Sequence, residues 1–161
     1  MDALYFGMSA AFGIIAWATI FSTFIWPKLK TRPQIERLKL LTAPHFFRYL
    51  GTTFLIVGLV VHKLPAAFAN PAAFGDLITA ILAYTTFTVL RKNGKPGTYT
   101  ALAWIFNVFG TIDLLIGATV GPLLIKNIGN FGVTYLIPTF YVPLLFVTHY
   151  YSFKTLTERP S

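Results

Sequence analysis

Cysteine is absent from this chain, and charged residues are scarce. Without cysteine there are no disulfides, no thiol nucleophile, no iron–sulfur ligation and no cysteine-ligated zinc. Charged residues make up 11% of the 161 residues, and only five are acidic, whereas a soluble domain carries about 25% charged residues. A surface with so few charges would expose large apolar patches to water. The composition therefore favours a protein whose surroundings are lipid.

The motifs of well-known enzyme classes are also missing. There is no phosphate-binding P-loop, no GxGxxG after a strand, no HExxH and no GxSxG. The three histidines lie in no close cluster with acidic residues, so zinc is not expected. The sequence selects no reaction, and we expect a non-enzymatic protein. Acid–base chemistry on a lipid or quinone by histidine, aspartate and arginine stays open as an alternative.

The net charge of +8 does not indicate a nucleic-acid partner. A nucleic-acid binder gathers its basic residues on one water-exposed face. Here they lie in short segments between apolar runs, where positive charge sets the orientation of a membrane protein. Such segments also favour anionic lipid headgroups. The expected partner is the lipid bilayer.

Long apolar runs are abundant, and a membrane-spanning helix needs about 20 mainly apolar residues. We predict an all-α transmembrane bundle, one domain over residues 1–161, with spans at residues 4–26, 44–61, 76–90, 98–124 and 131–153. A short interfacial helix is predicted over residues 33–41. The third span covers only about 22 Å at 1.5 Å per residue. It must therefore begin within the preceding loop or lie where the bilayer is thin.

The predicted loops differ strongly in basic residues. Five Lys/Arg follow the first span, three follow the third span and two lie in the C-terminal tail, against two on the opposite side. The positive-inside rule then gives a multi-pass inner-membrane protein with its N-terminus outside and its C-terminus in the cytoplasm. The three basic segments share one side only if the third span crosses the membrane.

Polar residues within the spans are the candidate functional residues, because ionisable groups are costly in a bilayer. We predict a cytoplasmic layer of histidines with Arg48 and an outer layer of aspartates. Asp113 lies about 22 Å along its helix from the inner surface, so no direct pairing with Arg48 is expected. The predicted ligand-binding or proton-pathway residues are His45, Arg48, Asp76, Tyr84, Asn107, Asp113, Tyr135, Thr139 and His149.

Most of these residues also have a simpler structural interpretation. His45 and His149 can be interfacial residues, Arg48 can reach the cytoplasmic headgroups, and Asp76 can cap the third span. Asp113 lies deep in the fourth span, and we expect its side chain to face a partner, a cavity or a ligand.

Small residues and prolines occur within the last two spans. Gly110, Gly117 and Gly121 recur at helical spacing and predict a groove in which a neighbouring helix packs. Pro138 and Pro143 are expected to bend the fifth span, because proline frees backbone carbonyls.

The chain resembles small multi-span bacterial inner-membrane proteins that remain uncharacterised. The segments that carry this resemblance are His45–Gly51, Pro71–Asp76, Asn107–Leu114 and Ile137–His149. The resemblance implies a membrane protein and brings no activity with it. In size and span number the chain also resembles the tryptophan-rich sensory (translocator) proteins. It has only three tryptophans and their motifs are not matched, so no residue role is carried over.

Three functions fit these observations. The first is small-molecule binding or proton-coupled transport in a polar intramembrane cavity, with Arg48 holding an anionic group. The second is a non-catalytic accessory subunit whose glycine face and aromatic residues pack against a larger membrane complex and whose polar residues pair with that partner; a homo-oligomer is also open as a partner. The third is haem b electron transfer, with His45 and His149 as axial ligands. No other cofactor is expected, and no metal site.

Overall fold

The computed structural model describes residues 2–92 and 94–158, in which the regular elements are all helical and no strand occurs. Asn93 and Arg159, two members of the basic loop and tail, lie outside the described residues. In chain order the elements are α1 (Asp2–Ile20, continued by the π-helical Phe21–Ile25 and the turn Trp26–Leu29), α2 (Gln34–Thr42), the 3₁₀ segment (Ala43–Leu55), α3 (Ala66–Arg91), α4 (Pro96–Leu124), a C-terminal 3₁₀ turn (Ile128–Tyr135), the π-helical Ile137–Tyr141 and α5 (Val142–Thr157).

Three helices are long and apolar enough to cross a membrane, at Ala3–Leu29, Ala66–Arg91 and Pro96–Leu124. The bent pair Ile128–Tyr135 and Ile137–Thr157, with 72° between its halves, would make a fourth. The predicted all-helical, apolar class is confirmed. The short third span is part of the 26-residue helix α3. This helix begins within the predicted preceding loop, which was the first of the two predicted alternatives.

The predicted second span, residues 44–61, is not α-helical and is not among these long helices. A 3₁₀ helix has three residues per turn, so side chains at i and i+3 share a face. The buried face of the 3₁₀ segment follows this period with His45, Arg48, Gly51 and Phe54, and Thr42 at the end of α2 continues it. An α-helical period would have placed Thr52 beside Arg48; the tighter helix places Gly51 there.

Helix α2 and the 3₁₀ segment form one continuous helical rod. The backbone keeps right-handed helical angles through Thr42 and Ala43. The predicted interfacial helix over residues 33–41 is thus present as a helix, but it packs into the bundle, since Leu38 and Leu41 are buried. Nine residues at 1.5 Å and thirteen at 2.0 Å give the rod a length of about 40 Å.

Two apolar clusters mark opposite ends of the bundle. At one end Leu38 packs with Leu90 and Tyr99, which lie at the end of α3 and the beginning of α4. At the other end the 3₁₀ segment, the beginning of α3 and the end of α4 meet in a cluster that includes Phe54 and Phe68. His45 and Arg48 therefore lie between the two clusters, along the middle of the rod.

Helix α1 contacts α5 and the π-helical segment before it through its one closely packed glycine. A Cβ added to Gly13 would overlap the backbone carbonyl oxygen of Thr139 and lie 2.9 Å from the Pro143 ring. The opposite surface of α1 exposes large apolar side chains such as Phe12 and Phe24. An apolar exterior of this extent suits contact with lipid or with another protein.

Gly13→Ala is expected to destabilise the protein by about 1–3 kcal/mol, because the added methyl group overpacks the α1–α5 contact. Gly7→Ala is the matched control on the same helix, since a Cβ there has no neighbour within 4 Å. The control should be neutral or gain up to about 1 kcal/mol of helix propensity. Thermal unfolding of the two purified variants measures the difference, and equal stabilities would contradict the packing described.

Candidate functional site

A fully buried arginine lies at the centre of the candidate site. The Arg48 side chain is 0% exposed. Its Nε donates to Asp76 Oδ1 at 2.7 Å, and its Nη2 donates to Asp113 Oδ2 at 2.5 Å. Its Nη1 donates to the backbone oxygen of Gly110 at 3.1 Å. Through this planar fork of donors, Arg48 ties the 3₁₀ segment to α3 and α4. We call Arg48, Asp76 and Asp113 the charge cluster.

The prediction that Asp113 lies too far out to pair with Arg48 is wrong. It took the depth of Arg48 from residue 44, whereas the helical rod begins at Gln34. From that start Arg48 lies about 24 Å along the rod, and Asp113 lies about 25 Å from the start of α4. The predicted inner and outer layers are therefore one layer.

The interpretation of Asp76 as a helix cap is also wrong. Helix α3 begins at Ala66 with Pro65 as its N-cap residue, so Asp76 lies ten residues inside the helix. There the backbone N–H groups are already bonded within the helix. The carboxylate is free to pair with Arg48.

His149 continues the polar network from Arg48 to α4. Its Nδ1 lies 2.8 Å from Asn107 Oδ1, and Asn107 Nδ2 donates to the Ala103 oxygen at 2.7 Å. Since the Asn107 oxygen can only accept, His149 Nδ1 carries a proton. In the neutral ring, Nε2 is then an acceptor, and it lies 3.5 Å from Arg48 Nη1.

His45 packs directly against His149, with ring centroids 4.2 Å apart. His45 Nε2 lies 2.9 Å from Thr148 Oγ1, whose hydroxyl is within 3.0 Å of the Leu144 and Leu145 carbonyl oxygens. The hydroxyl donates to a carbonyl, so it accepts from His45 Nε2. His45 Nδ1 has no hydrogen-bond partner within residues 2–92 and 94–158.

This geometry does not fit haem ligation by the two histidines. A haem with two axial histidines holds its iron and macrocycle between the rings, whereas these rings touch each other at 4.2 Å and are tilted by 50°. His149 also has both nitrogens engaged. Over the described part of the chain, no group of three or more acidic or histidine residues could hold a metal ion.

Two glycines make room for the carboxylates. A Cβ added to Gly51 on the 3₁₀ segment would overlap the Asp76 carboxylate, and a Cβ on Gly75 of α3 would overlap that of Asp113. Both glycines therefore belong to the site, although sequence reasoning missed them. The signal was present, because Gly51 lies three residues from Arg48 and Gly75 lies next to Asp76, each within an apolar segment.

The predicted glycine groove of α4 has two different uses. A Cβ on Gly110 would lie 2.8 Å from His149 Nε2, and one on Gly121 would lie 2.9 Å from the Phe68 ring. These two glycines are helix-packing residues, as predicted. A Cβ on Gly117 would have no neighbour within 4 Å, and this glycine instead borders a cavity.

That cavity, of about 290 Å³, lies beside the charge cluster. Its charged lining residues are Asp76 and Asp113, each of which uses one carboxylate oxygen for Arg48. Arg48 itself does not reach the cavity. The remaining lining is apolar and rich in aromatic rings, including Phe6, Phe54, Phe68, Phe131 and Phe146. The site is an apolar chamber with a pair of carboxylates in its wall.

Six of the nine predicted residues come together, and three do not. Tyr84 is 65% exposed on the outer surface of α3. The Tyr135 hydroxyl bonds to Ser9 Oγ at 2.9 Å, and the Thr139 hydroxyl donates to the Tyr135 backbone oxygen. Tyr135 therefore connects the C-terminal segment to α1, and Thr139 bonds within the C-terminal segment. Neither contacts the charge cluster.

The fold and site define an all-helical protein that has three or four long apolar helices and a buried arginine paired with two aspartates. Residues 5–157 match the family described as Domain of unknown function (DUF8737), and the chain belongs to this family. This agrees with the resemblance to uncharacterised proteins. No match was found to a curated protein or to a solved structure.

Arg48→Ala is expected to cost about 3–5 kcal/mol of stability, because it leaves two buried carboxylates without a cation. Arg48→Lys should recover only part of this, since an ammonium cannot bridge both carboxylates and the Gly110 oxygen as the guanidinium does. Lys39→Ala is the control: its partly exposed pair with Glu36 should contribute less than about 1 kcal/mol. Denaturant unfolding of the three variants tests the order, and an Arg48→Ala cost similar to that of the control would refute it.

Proposed function

We propose that this protein is a polytopic inner-membrane bundle that binds a small molecule in the cavity beside the charge cluster. The observation that carries the proposal is an apolar cavity with two carboxylates in its wall, both held by one buried arginine. Ligand sites are commonly apolar chambers of roughly 300–1,000 Å³ with a few placed polar groups. At about 290 Å³ the cavity lies just below that range.

The excess carboxylate supports a functional role for the cluster. One aspartate would be enough to neutralise a buried arginine, and each further buried ion costs several kcal/mol. With both aspartates ionised, the cluster carries one negative charge in excess beside the cavity. A structural ion pair does not need that charge, whereas proton exchange or ligand binding can make use of it. Proton-coupled binding, the first step of proton-coupled transport, is the function that this arrangement serves.

The accessory-subunit alternative has less support. It expects the buried polar residues to await a partner chain. Instead Arg48, His149 and Asn107 find their hydrogen-bond partners within this chain. Binding of an anionic group by Arg48 is likewise disfavoured, since all three of its nitrogens already donate inside the bundle.

We further propose five crossings with the N-terminus outside and the C-terminus in the cytoplasm. The second crossing is the rod Gln34–Leu55, in place of residues 44–61, and its length of about 40 Å exceeds the roughly 30 Å bilayer core. The end-to-end packing supports alternating directions, because Leu38, Leu90 and Tyr99 meet at one end. The basic segments fall on that same side, as the positive-inside rule requires.

Because the chain has no cysteine, single cysteines can report the topology. In intact spheroplasts, Lys126→Cys should react with a membrane-impermeant maleimide, whereas Lys95→Cys should react only after permeabilisation. Gel-shift labelling measures both. Equal labelling of the two positions before permeabilisation would contradict five crossings with this orientation.

The cavity can be tested with 1-octanol as a probe in nanodiscs. Gly117→Leu is expected to weaken saturable octanol binding at least tenfold, because the new side chain fills space that has no neighbour within 4 Å. Gly97→Leu is the matched control on the same helix, at an exposed position outside the cavity. Its octanol binding should be unchanged. If nanodiscs that hold the unmodified protein take up no more octanol than empty nanodiscs do, the proposed function is refuted.

A further inference from the structure

The charge cluster holds more negative than positive groups. Arg48 contributes one positive charge, and the two ionised aspartates contribute two negative charges. Within the described residues, Arg48 is the cation that forms salt bridges with Asp76 and Asp113. The cluster therefore has a net charge of −1, which one proton or one other monovalent cation can neutralise.

The carboxylates also keep unused acceptors. Arg48 engages Oδ1 of Asp76 and Oδ2 of Asp113. The second oxygens, Asp76 Oδ2 and Asp113 Oδ1, have no donor in the described part of the chain. They lie beside Gly51 and Gly75, where the missing Cβ atoms leave them room, and both side chains border the cavity. An ammonium group, which has three N–H donors and no acceptor, is complementary to two acceptors of this kind.

The rest of the cavity suits the apolar body of such a cation. The rings of Phe54, Phe68 and Phe131 pack with centroids 5.5–5.9 Å apart. The faces of aromatic rings attract cations, and their apolar surface favours a hydrocarbon chain. Among residues 2–92 and 94–158, no basic side chain lines the cavity, so an anionic ligand would meet uncompensated negative charge.

We propose that the cavity binds an amphipathic organic cation, an alkylammonium with its head at Asp76 and Asp113, in competition with a single proton. This rests on the proposed small-molecule function and names the class of ligand. When the ammonium enters the protonated cluster, one carboxyl O–H bond breaks and the proton leaves to water. The ammonium takes its place, so the cluster stays neutral and no other bond changes.

The test compares octylammonium, 1-octanol and octanoate, which share one chain length and differ in head-group charge. Binding is measured in phosphatidylcholine nanodiscs, with empty nanodiscs as the baseline. Octylammonium should bind at least tenfold more tightly than octanol, and octanoate more weakly than octanol. An alkylamine stays protonated from pH 5 to 8, so any pH dependence in that range comes from the protein. Octylammonium affinity should fall with falling pH, by up to tenfold per pH unit, while octanol affinity stays level.

Two variants locate the effect. Asp113→Asn leaves Arg48 with one carboxylate in a neutral pair, so the preference for octylammonium over octanol should shrink to the part that the aromatic rings supply, and its pH dependence should disappear. Glu36→Gln removes a negative charge that pairs with Lys39 away from the cavity, and it should leave both unchanged. Should Asp113→Asn fail to fold, the affinity ratio and its pH dependence in the unmodified protein decide the question.

The failures of the two proposals are distinguishable. Saturable octanol binding without an advantage for octylammonium would overturn the cation site and leave the proposed function standing. Octanoate binding more tightly than octylammonium would do the same. An absence of saturable binding for all three probes would overturn both.

Discussion

The structure depends on how a buried guanidinium is compensated. Moving an ion out of water costs several kcal/mol even after relaxation, and good geometry with full hydrogen bonding must offset that cost. Arg48 meets the requirement with two carboxylates and one backbone oxygen. These acceptors come from α3 and α4, so one side chain fixes three elements relative to each other. The 3₁₀ segment, α3 and α4 can approach this closely because Gly51 and Gly75 have no Cβ where the carboxylates of Asp76 and Asp113 lie.

The 3₁₀ period connects this polar centre to the cavity. Three residues per turn line up His45, Arg48, Gly51 and Phe54 on one face. The same face thus touches the histidine network, the charge cluster and the aromatic lining in turn. A run of 3₁₀ helix this long is uncommon and often marks a functional segment. Here it places a charged centre and an apolar chamber side by side, which is the basis of the proposed binding site.

The sequence predicted the helical, apolar class, and six of the residues it singled out come together in the candidate site, because buried charge in an apolar segment has few explanations. It did not predict the pairing of Arg48 with Asp113. Depth was counted from the wrong end residue, since the polar residues of α2 hide its continuity with the 3₁₀ segment from a hydropathy argument. Tyr84 was misplaced for a related reason: a tyrosine in an apolar helix is equally compatible with an outer surface, and one sequence does not say which face turns inward. Gly51 and Gly75 were missed because their role depends on a neighbouring element.

The most direct test of this account is a double-mutant cycle between Arg48 and Asp113, with Arg48→Met, Asp113→Asn and the combined variant compared by reversible unfolding. If the two side chains are in direct contact within the bundle, the costs of the single substitutions will not add, and the coupling will lie at about 1–3 kcal/mol. Additivity to within roughly 0.5 kcal/mol, as for residues more than about 10 Å apart, would contradict the central claim that one arginine holds both carboxylates.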